Sequence, residues 1–176
     1  AEPSWEHAPG RFRDAVCKEL EIRKKDSKIS SLFTAVVEQR TEAVKKLLIE
    51  EGLEANANDP NADDTSFSLL HCAVAVPEPN LEMIKLLLDQ GADLFHVDVD
   101  GDSALHVLCG RDGETNEDVL RLLLSRDTKG ILLNTENKRG RLPLFNAAIA
   151  GNMSVCKVLL NQPGVDTAGI TTRTDM

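Results

Sequence analysis

The 176-residue chain is 41% hydrophobic but only 3% aromatic and has no Tyr, so Leu, Ala and Val carry its apolar content, which suits thin helical layers and argues against a β-sandwich. A formal net charge of -9 repels phosphate backbones and anionic lipid, making nucleic acid and membrane surfaces poor partners. No apolar run approaches the roughly 20 residues that span a bilayer, and Cys17, Cys72, Cys109 and Cys156 are too dispersed for a disulfide-stapled domain or zinc knuckle, which points to free thiols in the cytoplasm or nucleus.

The chain opens on Ala rather than Met, as a fragment or processed chain would. Residues 11–25 (R-F-R-D-A-V-C-K-E-L-E-I-R-K-K) place Phe12, Val16 and Leu20 at a spacing of four, which predicts an amphipathic helix. It either caps the unit that follows or docks a partner.

From residue 28 onward the chain repeats itself. Ser-Ser-Leu-Phe at 30–33, Ser-Leu-Leu-His at 68–71, Ser-Ala-Leu-His at 103–106 and Leu-Pro-Leu-Phe at 142–145 start 38, 35 and 39 residues apart. Small residues follow each tetrapeptide. Then comes a strongly apolar block carrying a basic residue, at 44–48, 84–88, 120–124 and 156–160, and a glycine, at Gly52, Gly91, Gly130 and Gly164. The predicted unit is a short helix with small side chains, a turn, a longer apolar helix, and a left-handed glycine where that helix stops. Neither helix buries its apolar face alone, so the units must stack.

This pattern resembles the ankyrin-repeat family, whose unit reads roughly D-x-x-G-x-T-P-L-H-x-A-A-x-x-G, then a second helix ending in L-L, then G-A-D-x-N-A. The match is clearest at Asp98-x-x-Gly101-x-Ser103-Ala104-Leu105-His106, at Gly91-Ala92-Asp93, at 52–57 and at 140–151. The resemblance implies an all-α solenoid of about four stacked helix-turn-helix repeats with β-hairpin-like loops, at 28–58, 59–97, 98–136 and 137–166. Residues 1–27 form an N-terminal extension with a capping helix, and 167–176 a tail or the start of a truncated further repeat. An uncapped last repeat would leave an apolar edge, predicting self-association or a missing neighbour. Residues in excess of the ~33-residue period are assigned to connections: one before Gly52, four in 59–65, two in 76–79, and three each in 110–116 and 125–130. Phe33 and Phe145 stand where the family has His, and Leu142 where it has Thr, so the imidazole and hydroxyl bonds are absent there.

Several side-chain clusters suggest chemistry that their spacing does not support. His71, Cys72, His106 and Cys109 could in principle bind zinc, but their spacing is wrong, and in a repeat the two histidines bond to backbone. Asp98-Val-Asp-Gly-Asp102 starts like a calcium loop, yet positions 6 and 12 are Ser103 and Cys109 rather than Gly and Glu. No nucleophile elbow, metalloprotease helix or phosphate-cradling glycine motif occurs. Asn152-Met-Ser154 reads as a helix start. Neither cofactor, metal nor enzymatic activity is expected.

Ankyrin arrays, as the resemblance implies, bind proteins through hairpin tips and the concave face of the first helices. Mapped here, the tip positions are Asp64, Phe67, Asp100, Asp102, Lys138, Arg139 and Arg141, and the helix positions Glu38, Arg111 and Ile149. Acidic tips precede repeats 2 and 3, and a basic tip precedes repeat 4. Such polarity favours a fixed register for a partner of mixed charge; solvation of the edge alone would account for the same charges. The expected role is a non-enzymatic scaffold or adaptor in signalling. The alternative is a regulatory ankyrin domain of a larger multidomain enzyme, ion channel or secreted effector.

Overall fold

The computed structural model describes residues 27–56, 66–111 and 117–167. The predicted helix at 11–25, Asp64 and the tail from 168 lie outside them. Four helix pairs follow one another. The first is α1 (Ser27–Val37) and α2 (Thr41–Lys45), which runs on as a π-helical turn, Lys46–Glu50. The second is α3 (Leu69–Ala75) and α4 (Leu81–Asp89). The third is α5 (Ala104–Cys109) and α6 (Glu117–Arg126), with a 3-10 turn at Leu132–Asn134, and the fourth is α7 (Pro143–Ile149) and α8 (Met153–Leu160). The first helices α1, α3, α5 and α7 pack in series, as do the second helices α2, α4, α6 and α8. Among the described residues the only β-structure is an isolated antiparallel bridge, Val97 to Ser103.

Equivalent positions are buried alike. The third residue of each tetrapeptide, Leu32, Leu70, Leu105 and Leu144, is in the core, as are Val44, Ile84, Leu120 and Cys156 on the second helices. Burying each such leucine contributes about 2 kcal/mol. The small residues Ala73, Ala75 and Ala147 on the first helices are also buried, where a larger side chain would hold neighbouring helices apart. Gly52, Gly91, Gly130 and Gly164 all have positive φ, from 65 to 87°, the left-handed helix stop expected at these positions.

One expected loop insertion is not in a loop. In repeats 2, 3 and 4 the next deeply buried residues on the second helix, Leu87, Leu123 and Leu159, come three positions after Ile84, Leu120 and Cys156; in repeat 1, Leu48 comes four after Val44. The extra residue is absorbed by the π-helical turn, where the Glu51 amide donates to the Lys46 carbonyl. A one-residue insertion widens a helical turn in this way while keeping both flanks in register.

Two side-chain devices join neighbouring repeats. His71 reaches the backbone oxygen of Asp102 at 2.9 Å and His106 that of Arg141 at 3.0 Å. Asn56, four residues after Gly52, donates to the Gly91 carbonyl and accepts from the Asp93 amide. Asn134, four after Gly130, does the same with Gly164 and Asp166. Phe95 fills that slot after Gly91, so repeats 2 and 3 lack the asparagine bond.

Candidate protein-interaction groove

The hairpins ahead of repeats 3 and 4 are built alike. Asp98 Oδ1 accepts from the Asp100 and Asp102 amides, both at 2.8 Å, and Asn137 Oδ1 from the Arg139 and Arg141 amides, both at 3.0 Å. Glycines with φ of 77 and 64°, Gly101 and Gly140, complete the turns. The two tips are zipped together: the Lys138 amide donates to the Asp100 carbonyl at 2.9 Å, and Asn137 Nδ2 to Asp102 Oδ1 at 2.6 Å. Arg139 lies 3.8 Å from the Asp100 carboxylate.

Behind these tips the first helices of repeats 3 and 4 border a groove of about 320 Å³, lined among others by Phe67, Val107, Gly110, Arg111, Arg139, Arg141, Asn146 and Ile149. Arg139 is exposed on its rim, Ile149 is 61% exposed, and the Arg141 guanidinium sits 5.4 Å from the Phe145 ring centre. Phe67, Arg139, Arg141 and Ile149 thus meet at one place, with Asp100 and Lys138 at its edge. Glu38 is elsewhere, exposed on the first repeat and paired with Arg40 at 2.8 Å.

Two of the ten residues expected to face a partner are turned inward. Asp102 is 4% exposed and is bonded to Asn137. Arg111 is 6% exposed; its guanidinium donates to the Val74 carbonyl at 3.3 Å and to that of Pro77. It serves the carbonyls left open where α3 gives way to the extended Val76, a position that favours a cation. Burial lowers its pKa, but a guanidinium stays charged. Val107 and Asn146 line the groove and were not foreseen; each directly follows a residue of its tetrapeptide motif, which the repeat pattern leaves unassigned.

The described serine–histidine pairs belong to the framework. Ser68 Oγ lies 2.7 Å from His71 Nδ1 and Ser103 Oγ 2.9 Å from His106 Nδ1. A carbonyl only accepts, so each ring must donate through Nε2 to the next repeat and accept at Nδ1 from the serine hydroxyl. Ser68, His71, Ser103 and His106 are all buried, and these pairs act as capping boxes for α3 and α5. Burial pushes the His71 pKa down to about 4 and also lowers that of His106. Cys72, Cys109 and Cys156 are buried free thiols, and burial raises the pKa of Cys109. The carboxylates of Asp98, Asp100 and Asp102 approach within 4.8 Å of one another. Oxygens of Asp98 and Asp102 already accept bonds from the chain itself, and burial raises the Asp98 pKa to about 6.

The family model described as ankyrin repeats, three copies, matches residues 70–169. That range covers the second, third and fourth helix pairs almost entirely. Among curated relatives, tyrosine-protein kinase HTK16 of Hydra vulgaris is 28% identical over 130 residues, 74% of this chain and 16% of the relative. NAD-dependent deacetylase sir2B of Dictyostelium discoideum is 29% identical over 138 residues, 76% of this chain and 17% of the relative. Phosphocholine transferase AnkX of Legionella pneumophila is 28% identical over 87 residues, 49% of this chain and 9% of the relative. The chain therefore spans less than a fifth of the length of these relatives. With its matched range, its helix pairs and its glycine stops, the chain belongs to the ankyrin-repeat family, whose repeats are protein-interaction modules.

Proposed function

We propose that this chain is a non-enzymatic scaffold or adaptor of the cytoplasm or nucleus that holds a protein partner against the groove of repeats 3 and 4. The observation that carries this reading is a division of labour. The described serine–histidine pairs and thiols are buried in repeat architecture, whereas Arg139 and Ile149, from different elements, are exposed in one groove. Lys138, Arg139, Arg141, Ile149, Phe67 and Asp100 form the contact surface. Glu38 and Asp64 would extend it towards repeat 1, while Asp102 and Arg111 hold its shape from beneath.

The test is affinity capture with the whole chain beside the Lys138→Glu/Arg139→Glu/Arg141→Glu variant, each checked for folding by circular dichroism. Specific proteins retained by the parent and lost by the variant support both module and surface. Equal retention by the two would move the surface elsewhere.

A second reading, a regulatory ankyrin region within a larger enzyme or effector, is favoured by the relatives, each named for an activity and each several times longer than this chain. Self-association through the last repeat has its own support in the exposure of Ile149, Met153 and Leu160. Sedimentation of the chain across concentrations tests it, and a monomer throughout would end it.

A further inference from the structure

Resting on the interaction-module reading, we propose that the groove between repeats 3 and 4 selects an acidic, extended segment of its partner. An Asp or Glu carboxylate lies over Arg139 and Arg141, and a neighbouring apolar side chain packs against Ile149.

The charge of the groove is opposite to that of the chain. Arg139 and Arg141 line it above the inward-turned Arg111, on a chain of formal net charge -9. The one carboxylate among its described lining residues, Asp102, is buried and already accepts a bond from Asn137. Among the described residues, no carboxylate is paired with Arg141, which lies over Phe145. An anion entering here meets forked donors suited to a planar carboxylate.

The same numbers favour a carboxylate over a polyanion. At physiological ionic strength charges are screened beyond about 8 Å, so one carboxylate held against the arginines meets only them and the neighbouring Asp98, Asp100 and Asp102. A nucleic acid would extend many phosphates over the acidic remainder of the surface. The apolar wall supplied by Val107 and the 61%-exposed Ile149 adds a place for a hydrophobic neighbour.

Asp100 tunes this site. Its carboxylate, 3.8 Å from Arg139, competes with any incoming one, so removing its charge tightens binding of an acidic segment.

The experiment is selection of random peptides displayed on phage against the full chain, followed by titration of a synthetic winner. Enriched peptides are expected to carry Asp or Glu beside Leu, Ile or Phe. The winner should bind the folded Arg139→Glu/Arg141→Glu variant at least about tenfold more weakly and Asp100→Asn about threefold more tightly. Enrichment of neutral or basic peptides, or affinities indifferent to these changes, overturns the inference and leaves the module reading standing. A winner bound at least about tenfold more tightly once its acidic residue is replaced by phosphoserine overturns the carboxylate assignment. A selection that enriches nothing counts against the module reading as well.

Discussion

His71 Nε2 lies 2.9 Å from the backbone oxygen of Asp102, thirty-one residues further along the chain, while its Nδ1 faces the Ser68 hydroxyl at 2.7 Å. The Ser68 amide also donates to Nδ1 at 3.4 Å, which suits the neutral ring, and burial lowers the ring's pKa from the ordinary 6.5 to about 4. The unfolded chain therefore takes up a proton first as pH falls. The contribution of His71 is complete above its unfolded pKa and is lost as pH drops towards 4, by about 2 kcal/mol between pH 7 and 5. Urea denaturation of the parent and of His71→Gln at several pH values checks this. Identical slopes in the two proteins would remove His71 as the source.

Asp98 acts with the opposite sign. Its folded pKa is raised from 3.8 to about 6 by burial, so its contribution is present at low pH and lost as pH rises from about 4 through 6. Repeat 4 has Asn137 at the same place, accepting the same pair of turn amides. Asp98→Asn should keep those bonds, raise stability at pH 7 by about 1–2 kcal/mol, and steepen the acid-side loss due to His71. A lower melting temperature at pH 7 would contradict the assignment.

Gly101 and Gly130 both have positive φ, yet they differ in surroundings. A Cβ at Gly101 would lie 2.8 Å from the Lys138 backbone nitrogen, whereas at Gly130 it would meet nothing within 4 Å. Gly130→Ala should show only the left-handed penalty of about 1–2 kcal/mol. Gly101→Ala should lose clearly more and also weaken partner binding, since it pushes the two tips apart. Equal losses on thermal unfolding would mean that the tips are not in contact.

Replacing Arg111 by Met keeps much of its length but leaves the Val74 and Pro77 carbonyls without their donor. The expected loss is about 1–3 kcal/mol, with the affinity for a partner reduced only as far as folding is. A variant as stable as the parent would show that these carbonyls find other partners.

Much of the scaffold was legible in the sequence because the repeat states each constraint several times over. Small residues, apolar second helices, glycine stops and the backbone-seeking histidines fall where the spacing placed them. The π-helical turn was not legible: counting to Gly52 reveals one surplus residue but not whether a loop or a helix absorbs it. Deleting Ile49, 60% exposed within that turn, should restore an ordinary helix and change stability by less than about 1 kcal/mol; loss of cooperative unfolding would argue otherwise. The groove was half legible. Arg139, Arg141 and Ile149 reach it, but a charged letter at a hairpin tip says nothing about direction, and Asp102 and Arg111 are both spent on bonds to the neighbouring repeat.

Repeats are not fastened to one another equally. Among the described residues, Asn56 and Gln39 reach from the first repeat to the second and His71, Arg111 and the Arg126–Asp89 pair join the second and third, while the third and fourth are held by His106, Asn134, Asn137 and the Lys138 amide. The groove lies over this most heavily tied junction, so its walls are already in place before anything arrives. A ligand settling there orders itself but little of its receptor, which lowers the entropic penalty of association and lets even a small contact area be selective.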